Sequence, residues 1–404
     1  MTEQALSELR VIEWGSLISA PFCARLLAEA GAEVIKIELP GIGDESRRSG
    51  PFPRDISHPE RSGLFLHLNV NKIGITLDPA TETGREIFLR LLQTADICVE
   101  NQPPGVAERL KLDFDSLKQV NQKLILTSIT PYGKTGPYKD WKGYDMNCCA
   151  LGGVTNTIGY PDREPLTPPL NQGDHQAGLM AAIATMIALL ARDNTGKGTH
   201  VDISEAECWA TFHIGIGIQS YIEEGRVRRR SGHMSAHRPY PDEVLPCKDG
   251  YVCIDTPQNR QWRRFLEVIG NPSWANDPIF EDRIKTADEY WEKADAYLNE
   301  WLSQHTKDEI FELCQRSRVP AAPIRTVAEL LDDAQLADRG YFAEIEHPDA
   351  GRLKYPRACY QFSGTPCMMR RPAPRLGEHN EEIYCRRLGY STADLVALRH
   401  AEVI

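Results

Sequence analysis

None of the eleven cysteines belongs to a CxxC pair, and only Cys148 and Cys149 are neighbours. The opening MTEQALSELRVIEW lacks the basic segment and apolar core of a secretory signal. No run approaches 18 uninterrupted apolar residues, so no membrane span is expected. Together these absences predict a cytoplasmic protein with reduced thiols, most of them small buried apolar residues. Positive charge is in deficit: 46 Lys and Arg stand against 57 Asp and Glu, a net charge of −11. That argues against a general nucleic-acid binder. It still allows an anionic ligand held by local cations. There is no internal repeat and no low-complexity tract. What is present is 404 residues, 41% of them hydrophobic, enough for a packed core and more readily two domains than one.

The first 140 residues alternate strand-like and helix-like runs. LRVIEW, EVIKIEL, IGITLD, DICVEN and KLILTSIT have strand character, and FCARLLAEAGA and ETGREIFLRLLQTA have helical spacing. Ser19 and Pro21 suit a helix start. Such alternation predicts right-handed βαβ units and a parallel sheet. A dinucleotide site is disfavoured, because the turn after the first strand reads GSLISAP and lacks the glycines that admit a pyrophosphate. Glu38 could at most imitate a ribose-binding acid. HVDIS is a further strand and EAECWATFHIGI a helix. The polar run VRRRSGHMSAHRPYPDE reads as a linker, and CKDGYVCID as a hairpin with its turn at Asp249-Gly250. The expected division is a large Rossmann-like domain over 1–225, a smaller α+β domain with linkers over 226–329, and a C-terminal part, 330–404, that completes the large domain.

The stretch NQGDHQAGLMAAIA sets one carboxylate, Asp174, at the start of a long apolar helix. Apolar on nearly every side, that helix should be buried. Asp174 can be read as a plain N-cap or as a reactive group. At a helix N-terminus, free N–H groups and the dipole favour its ionised form, which suits a nucleophile at neutral pH. Its neighbour His175 reads as a packing or capping residue.

Six stretches in register resemble one family: LISAPFCARLLAEAGAEVIKIELPGIGDESRRSGPF, LNVNKIGITLD, ICVENQPPGVAERL, GDHQAGLMAAIATMIALLARDNTGKGTHVDIS, LPCKDGYVCID and RLGEHNEEI. They are similar to the class III CoA-transferases of the formyl-CoA transferase and carnitine CoA-transferase type, from about residue 8 to the C-terminus. The resemblance implies transfer of coenzyme A from an acyl-CoA, here succinyl-CoA, to a free carboxylic acid, with Asp174 as the nucleophile. It implies an α/β fold whose Rossmann-like large domain has a parallel sheet built from both chain ends, and a smaller α+β domain. It also implies an interlocked dimer, homomeric or formed with a related subunit. The coenzyme A thioester is the substrate, and no tightly bound cofactor and no metal are expected.

By the same resemblance Asn101, Arg109, Leu110, Lys142, Tyr144 and Leu39 lie along the CoA, with Arg47, Arg48 and Lys72 as weaker candidates. The chain also departs from the pattern. Ile18 stands where formyl-CoA transferase has a glutamine, Leu39 where it has an arginine, and Ala80 where it has a lysine, so oxalate is not the expected acceptor. The glycine-rich loop of that enzyme is absent, and RRRSGHMSAHRPYPDE is expected to shape the acceptor pocket instead. GDESRRSGPFPRD and HPERSGLFLHLNVNK most resemble the branch that includes benzylsuccinate CoA-transferase. Two alternatives remain: an α-methylacyl-CoA racemase, which the phenol of Tyr144 at the place of a histidine base disfavours, and the CoA-binding subunit of a heteromeric transferase.

Overall fold

A computed structural model describes residues 4–228, 230–232 and 238–404. The chain forms two compact units. The first comprises Met1–Val154, Pro168–Ile216 and Ala337–Ile404, and the second Thr155–Thr167 and Gly217–Leu336.

The first unit is built on six parallel strands: β1 (Arg10–Trp14), β2 (Glu33–Glu38), β3 (Ile73–Thr76), β4 (Ile97–Glu100), β5 (Ile125–Thr130) and β6 (His200–Ser204). Their order is β3-β2-β1-β4-β5-β6, the doubly wound arrangement, with the reversal between β1 and β4. Strands β3, β4 and β5 are buried along their whole length, as strands of a parallel sheet covered on both faces are. Ile12, Ile35, Ile75 and Cys98 face one core together with Phe88 and Leu91 of helix α2 (Glu82–Leu92). Val11, Val34, Ile97 and Val99 face the other, under α1 (Ser19–Glu29) and α5 (Gln172–Thr195). Between these lie the short helices α3 (Val106–Leu110) and α4 (Asp145–Leu151), and α6 (Glu205–Trp209) follows β6.

The sheet is not built from both chain ends, since all six strands lie between Arg10 and Ser204. The C-terminal stretch reaches the sheet as side chains and as helix. β3 is an edge strand, and the imidazole Nδ1 of His379 accepts from the Gly74 N–H (3.1 Å), while Asn380 Oδ1 accepts from the Thr76 N–H (2.9 Å). The Tyr384 hydroxyl donates to the Thr76 carbonyl (2.6 Å). These groups complete the edge's hydrogen bonding without a further strand. Ile383, Tyr384, Leu395 and Ile404 then join the first core.

Helix starts also differ from expectation. Ile18, not Ser19, is the N-cap of α1, and Ser19 is its first helical residue. Asn171 caps α5 with left-handed geometry (φ 51°), which leaves Asp174 as the third helical residue and not the cap. Nor is α5 buried all round. Ala177, Ala181 and Ala188 pack into the core, but Leu179, Ile183, Ile187 (63% exposed) and Leu190 (64%) form an exposed row at helical spacing. By length and composition this one helix among the described residues could cross a membrane. Thr185 interrupts its apolar run, so it shows no unbroken apolar stretch of spanning length.

The second unit holds three antiparallel strands, β7 (Asp242–Cys247), β8 (Gly250–Asp255) and β9 (Ala321–Pro323). Leu245, Ile254, Trp262, Phe265, Leu298 and Ile310 form its core. The hairpin closes with Lys248 and Asp249 between the paired Cys247 and Gly250. Within the polar run expected to shape an acceptor pocket, residues 229 and 233–237 lie outside the described residues.

Candidate active site

Three helix starts in the first unit meet. Asp145 opens α4, Asp174 lies in the first turn of α5, and Glu205 opens α6 directly after β6. One carboxylate oxygen from each lies within 4.8 Å of the other two, and this is the one cluster of at least three potential metal-ligating groups among the described residues. Asp145 Oδ1 accepts from the Gly173 N–H at 2.7 Å and from the Asp174 N–H at 3.3 Å, so it satisfies free donors of the α5 N-terminus. Asp174 is half-buried, while Asp145 and Glu205 are buried.

The crowding changes the acids. Burial first, and then the charge of Asp145, push the Asp174 carboxyl up to about 7, against a hydrogen bond with Asn171 that lowers it. The sequence-based expectation of a carboxylate held fully ionised by its helix is therefore corrected: desolvation and a like charge outweigh the helix terminus. Burial, then Asp174 and Asp145, push Glu205 to about 9. Burial likewise pushes the Cys148 thiol up, with Glu205, Asp174 and Asp145 adding to it.

Gly173 makes this convergence possible. A Cβ there would meet Asp145 Oδ1 at 2.5 Å and Glu205 Oε1 at 2.9 Å, and would collide with the indole nitrogen of Trp209. Trp209 is wholly buried, and neither its indole N–H nor Glu205 Oε1 has a hydrogen-bond partner among the described residues.

The reversal between β1 and β4 opens a crevice at the strands' C-terminal ends, where ligands of such sheets bind. Asn101, just after β4, spans it. Its Oδ1 accepts from the Ser16 N–H (2.9 Å), and its Nδ2 donates to the Ser16 carbonyl (2.8 Å) and the Ser19 hydroxyl (3.0 Å). Asp44 Oδ1 accepts from the N–H of Leu17, which has φ 61°. The GSLIS turn is thus held from two sides. It borders the first turns of α5, where the Phe22 and His175 rings meet edge-on at 5.1 Å and a Cβ on Gly178 would meet the Ser19 carbonyl at 2.5 Å. His175 Nδ1 lies 2.9 Å from the Asn171 carbonyl.

Other sequence candidates separate into two groups. Arg109, Lys142, Tyr144 (74% exposed) and Leu39 are exposed, and Leu110 packs partly on the first core. Arg47 and Lys72 are buried in ion pairs and unavailable to a ligand. Arg47 binds Glu38 (2.6 Å) and Glu60 (2.6 Å), and Lys72 binds Glu13 (2.7 Å). Glu38 is committed to Arg47 and to the Asp44 N–H, so it imitates no ribose-binding acid. Arg48 is exposed and donates to the Ile42 carbonyl. Sequence reasoning gave no role to Glu205, Trp209 or Gly173. EAECW signals only a helix, and nothing in its spacing points to residues 145 and 174.

Residues 6–380 match the model of CoA-transferase family III. The chain is 32% identical over 400 residues to the succinyl-CoA–D-citramalate CoA-transferase of Chloroflexus aurantiacus, covering 99% of this chain and 98% of that one. It is also 32% identical over 395 residues to the succinyl-CoA:(R)-benzylsuccinate CoA-transferase subunit BbsE of Thauera aromatica, covering 94% and 93%. The structure of a CAIB/BAIF family protein from Brucella suis superposes with a TM-score of 0.85 at 30% identity, covering 96% of this chain and all of that one.

Proposed function

Since the chain belongs to CoA-transferase family III and is a CoA-transferase, we propose that Asp174 is its acyl-accepting nucleophile, with succinyl-CoA as donor and a substituted dicarboxylic acid as acceptor. The observation that carries this reading is the place of Asp174. It is a half-buried carboxylate in the first turn of α5, anchored through its own N–H by Asp145 and pushed up to about 7. At neutral pH a substantial fraction is ionised, and the raised basicity makes that carboxylate the better nucleophile.

Asp174 attacks the thioester carbonyl. The carbon–sulfur bond breaks, giving an aspartyl–acyl mixed anhydride and CoA thiolate. The thiolate attacks the aspartyl carbonyl, releases the donor's carboxylate and leaves an enzyme–CoA thioester. The acceptor carboxylate attacks that thioester, and a second exchange of the same kind delivers acyl-CoA and restores Asp174. Every charge lost by one carboxylate is taken up by another or by the thiolate, so no net proton is consumed. Arg109, Lys142, Tyr144 and Leu39 are exposed and suit contacts with the CoA, Arg109 with a phosphate. Asn101 acts beside them by fixing the turn after β1.

The donor and acceptor follow from the relatives, which are named for succinyl-CoA and for citramalate or benzylsuccinate. Both acceptors are dicarboxylic acids. The working form is a dimer, homomeric or with a related subunit. Supporting it is the row Leu179, Ile183, Ile187 and Leu190 on α5, an apolar face that water would otherwise meet.

Mass exchange between succinyl-CoA and isotope-labelled succinate tests the donor, and a panel of dicarboxylic acids tests the acceptor. Exchange with succinate, and product CoA esters from citramalate-like or benzylsuccinate-like acids, are expected. No exchange with any acid would remove the reading.

A further inference from the structure

We propose that Glu205 is a positioning residue that holds the proton of the carboxylate trio, so that charge at the site is carried by Asp145 and Asp174 and the nucleophile is free to ionise. The inference rests on Asp174 being the nucleophile and adds a residue that sequence reasoning did not reach.

Geometry carries it. Three carboxylate oxygens crowd within 4.8 Å, and three charges at that spacing in a buried setting repel strongly. The neighbours decide which acid stays neutral. Asp145 Oδ1 is occupied in accepting two backbone N–H groups at the start of α5. Asp174 is the least buried of the three and has Asn171 beside it. Glu205 is 4% exposed, its Oε1 accepts from nothing among the described residues, and its hydrogen bond with the Cys148 side chain, which favours the charged form, is the weakest influence on it.

The groups facing Glu205 give it no compensating cation. They are Asp145 and Cys148 from α4, Asp174 from α5, Cys208 on its own helix, and Tyr132 after β5. His213, whose ring lies 4.7 Å from that of Trp209, is engaged by the Gln176 side-chain amide at 3.0 Å. Asp202 in the middle of β6 accepts from the Lys134 N–H instead. No lysine or arginine contributes to the shifts of Glu205 or Asp174. The shift of Glu205 toward 9 agrees with this assignment.

The buried indole N–H of Trp209 is the second observation. It lies unpartnered against Gly173, on the same spot that Glu205 Oε1 and Asp145 Oδ1 border. An N–H donor there suits an acceptor such as a carboxyl oxygen, whereas a metal ion bound by the trio would find in it no ligand. When Asp174 becomes an acyl anhydride it loses its charge, and Glu205 then sits beside one carboxylate rather than two. Above its titration point, Glu205 adds a third charge against the incoming thioester and acceptor carboxylate, and transfer slows.

Two readouts test this on the whole enzyme. In the first, succinyl-CoA/succinate exchange is followed from pH 6 to 10. The wild-type rate should fall above about pH 9, by up to about tenfold per pH unit as a single proton is lost, and Glu205→Gln should abolish that alkaline limb while keeping the acid limb. An alkaline limb unchanged in Glu205→Gln would overturn the proposal. In the second, infrared spectroscopy should find a protonated-carboxyl band at pH 7.5 that Glu205→Gln lacks. The same band should vanish at lower pH in Asp174→Asn, where one opposing charge is gone, so the test survives a Glu205→Gln protein that does not fold. A band absent from the wild type, or unmoved in Asp174→Asn, contradicts the assignment, as does Mg2+ or Zn2+ binding that Glu205→Gln removes. If the band behaves as stated but no exchange occurs in the wild type, the proton assignment stands and the transferase reading fails.

Discussion

Asp145 Oδ1 lies 2.7 Å from the backbone nitrogen of Gly173 and accepts its hydrogen, which ties the start of α4 to the first turn of α5. The same carboxylate is the largest source of like charge on Asp174. Anchor and electrostatic partner are thus one residue, and substitutions can separate the two roles.

Asp145→Asn keeps an acceptor for the two N–H groups but removes the charge. Asp174 should then titrate below its wild-type value of about 7, and the acid limb of the exchange rate should move to lower pH. Asp145→Ala also loses the acceptor, and leaving buried donors unpaired should cost about 1–3 kcal/mol. Thermal melts of the two variants beside their pH–rate profiles check both statements.

Asn101 makes three hydrogen bonds to the GSLIS turn. Asn101→Ala should lower the melting temperature through loss of about 1–3 kcal/mol and raise KM and lower kcat together, because the turn itself is released. A variant that melts like the wild type would assign Asn101 to ligand contact alone.

Arg109→Ala should raise the KM for acyl-CoA several-fold with a smaller change in kcat. A phosphate contact remote from the reacting carbonyl stabilises ground and transition states alike. Steady-state kinetics with succinyl-CoA decide it, and an unchanged KM removes Arg109 from the site.

Ile187 is 63% exposed in the apolar row of α5. A charge there should break an interface and leave a lone chain soluble. Ile187→Lys is expected to shift light scattering at micromolar concentration from dimer toward monomer. A wild type that is already monomeric refutes the dimer.

Much of the sheet was legible because a doubly wound fold writes itself locally. VIKIE and ICVE are short β-type runs between helical segments, and each became a strand of the parallel sheet. The edge closure by His379, Asn380 and Tyr384 was not legible, because side chains there replace a strand and leave no strand pattern. The exposed row on α5 was hidden by composition: Ala and Leu surround the helix, and no polar face marks its outer side. Asp174 stood out as a lone acid before an apolar run. Glu205 did not, because it meets Asp174 only through the turn from β6 into α6 and the missing side chain of Gly173.

Asp174 also links function to stability. Its folded-state value, about 7, lies above that of an unfolded aspartate. Its contribution is therefore full below pH 4 and is lost as pH rises through about 7. At pH 8 an ionised Asp174 opposes folding. Asp174→Asn should melt a few degrees higher there, a gain of order 1 kcal/mol once solvent screening is allowed for. At pH 4 that advantage should disappear.

The central claim is that Asp174 is the acyl acceptor, and exchange of labelled succinate into succinyl-CoA by purified Asp174→Asn, checked by mass for deamidation, tests it most directly. The side chain keeps its shape and loses only the carboxylate. The expected result is a folded protein whose exchange falls by more than about a hundredfold, roughly 2.7 kcal/mol in barrier. A folded, undeamidated variant that exchanges at a rate close to the wild type would contradict it.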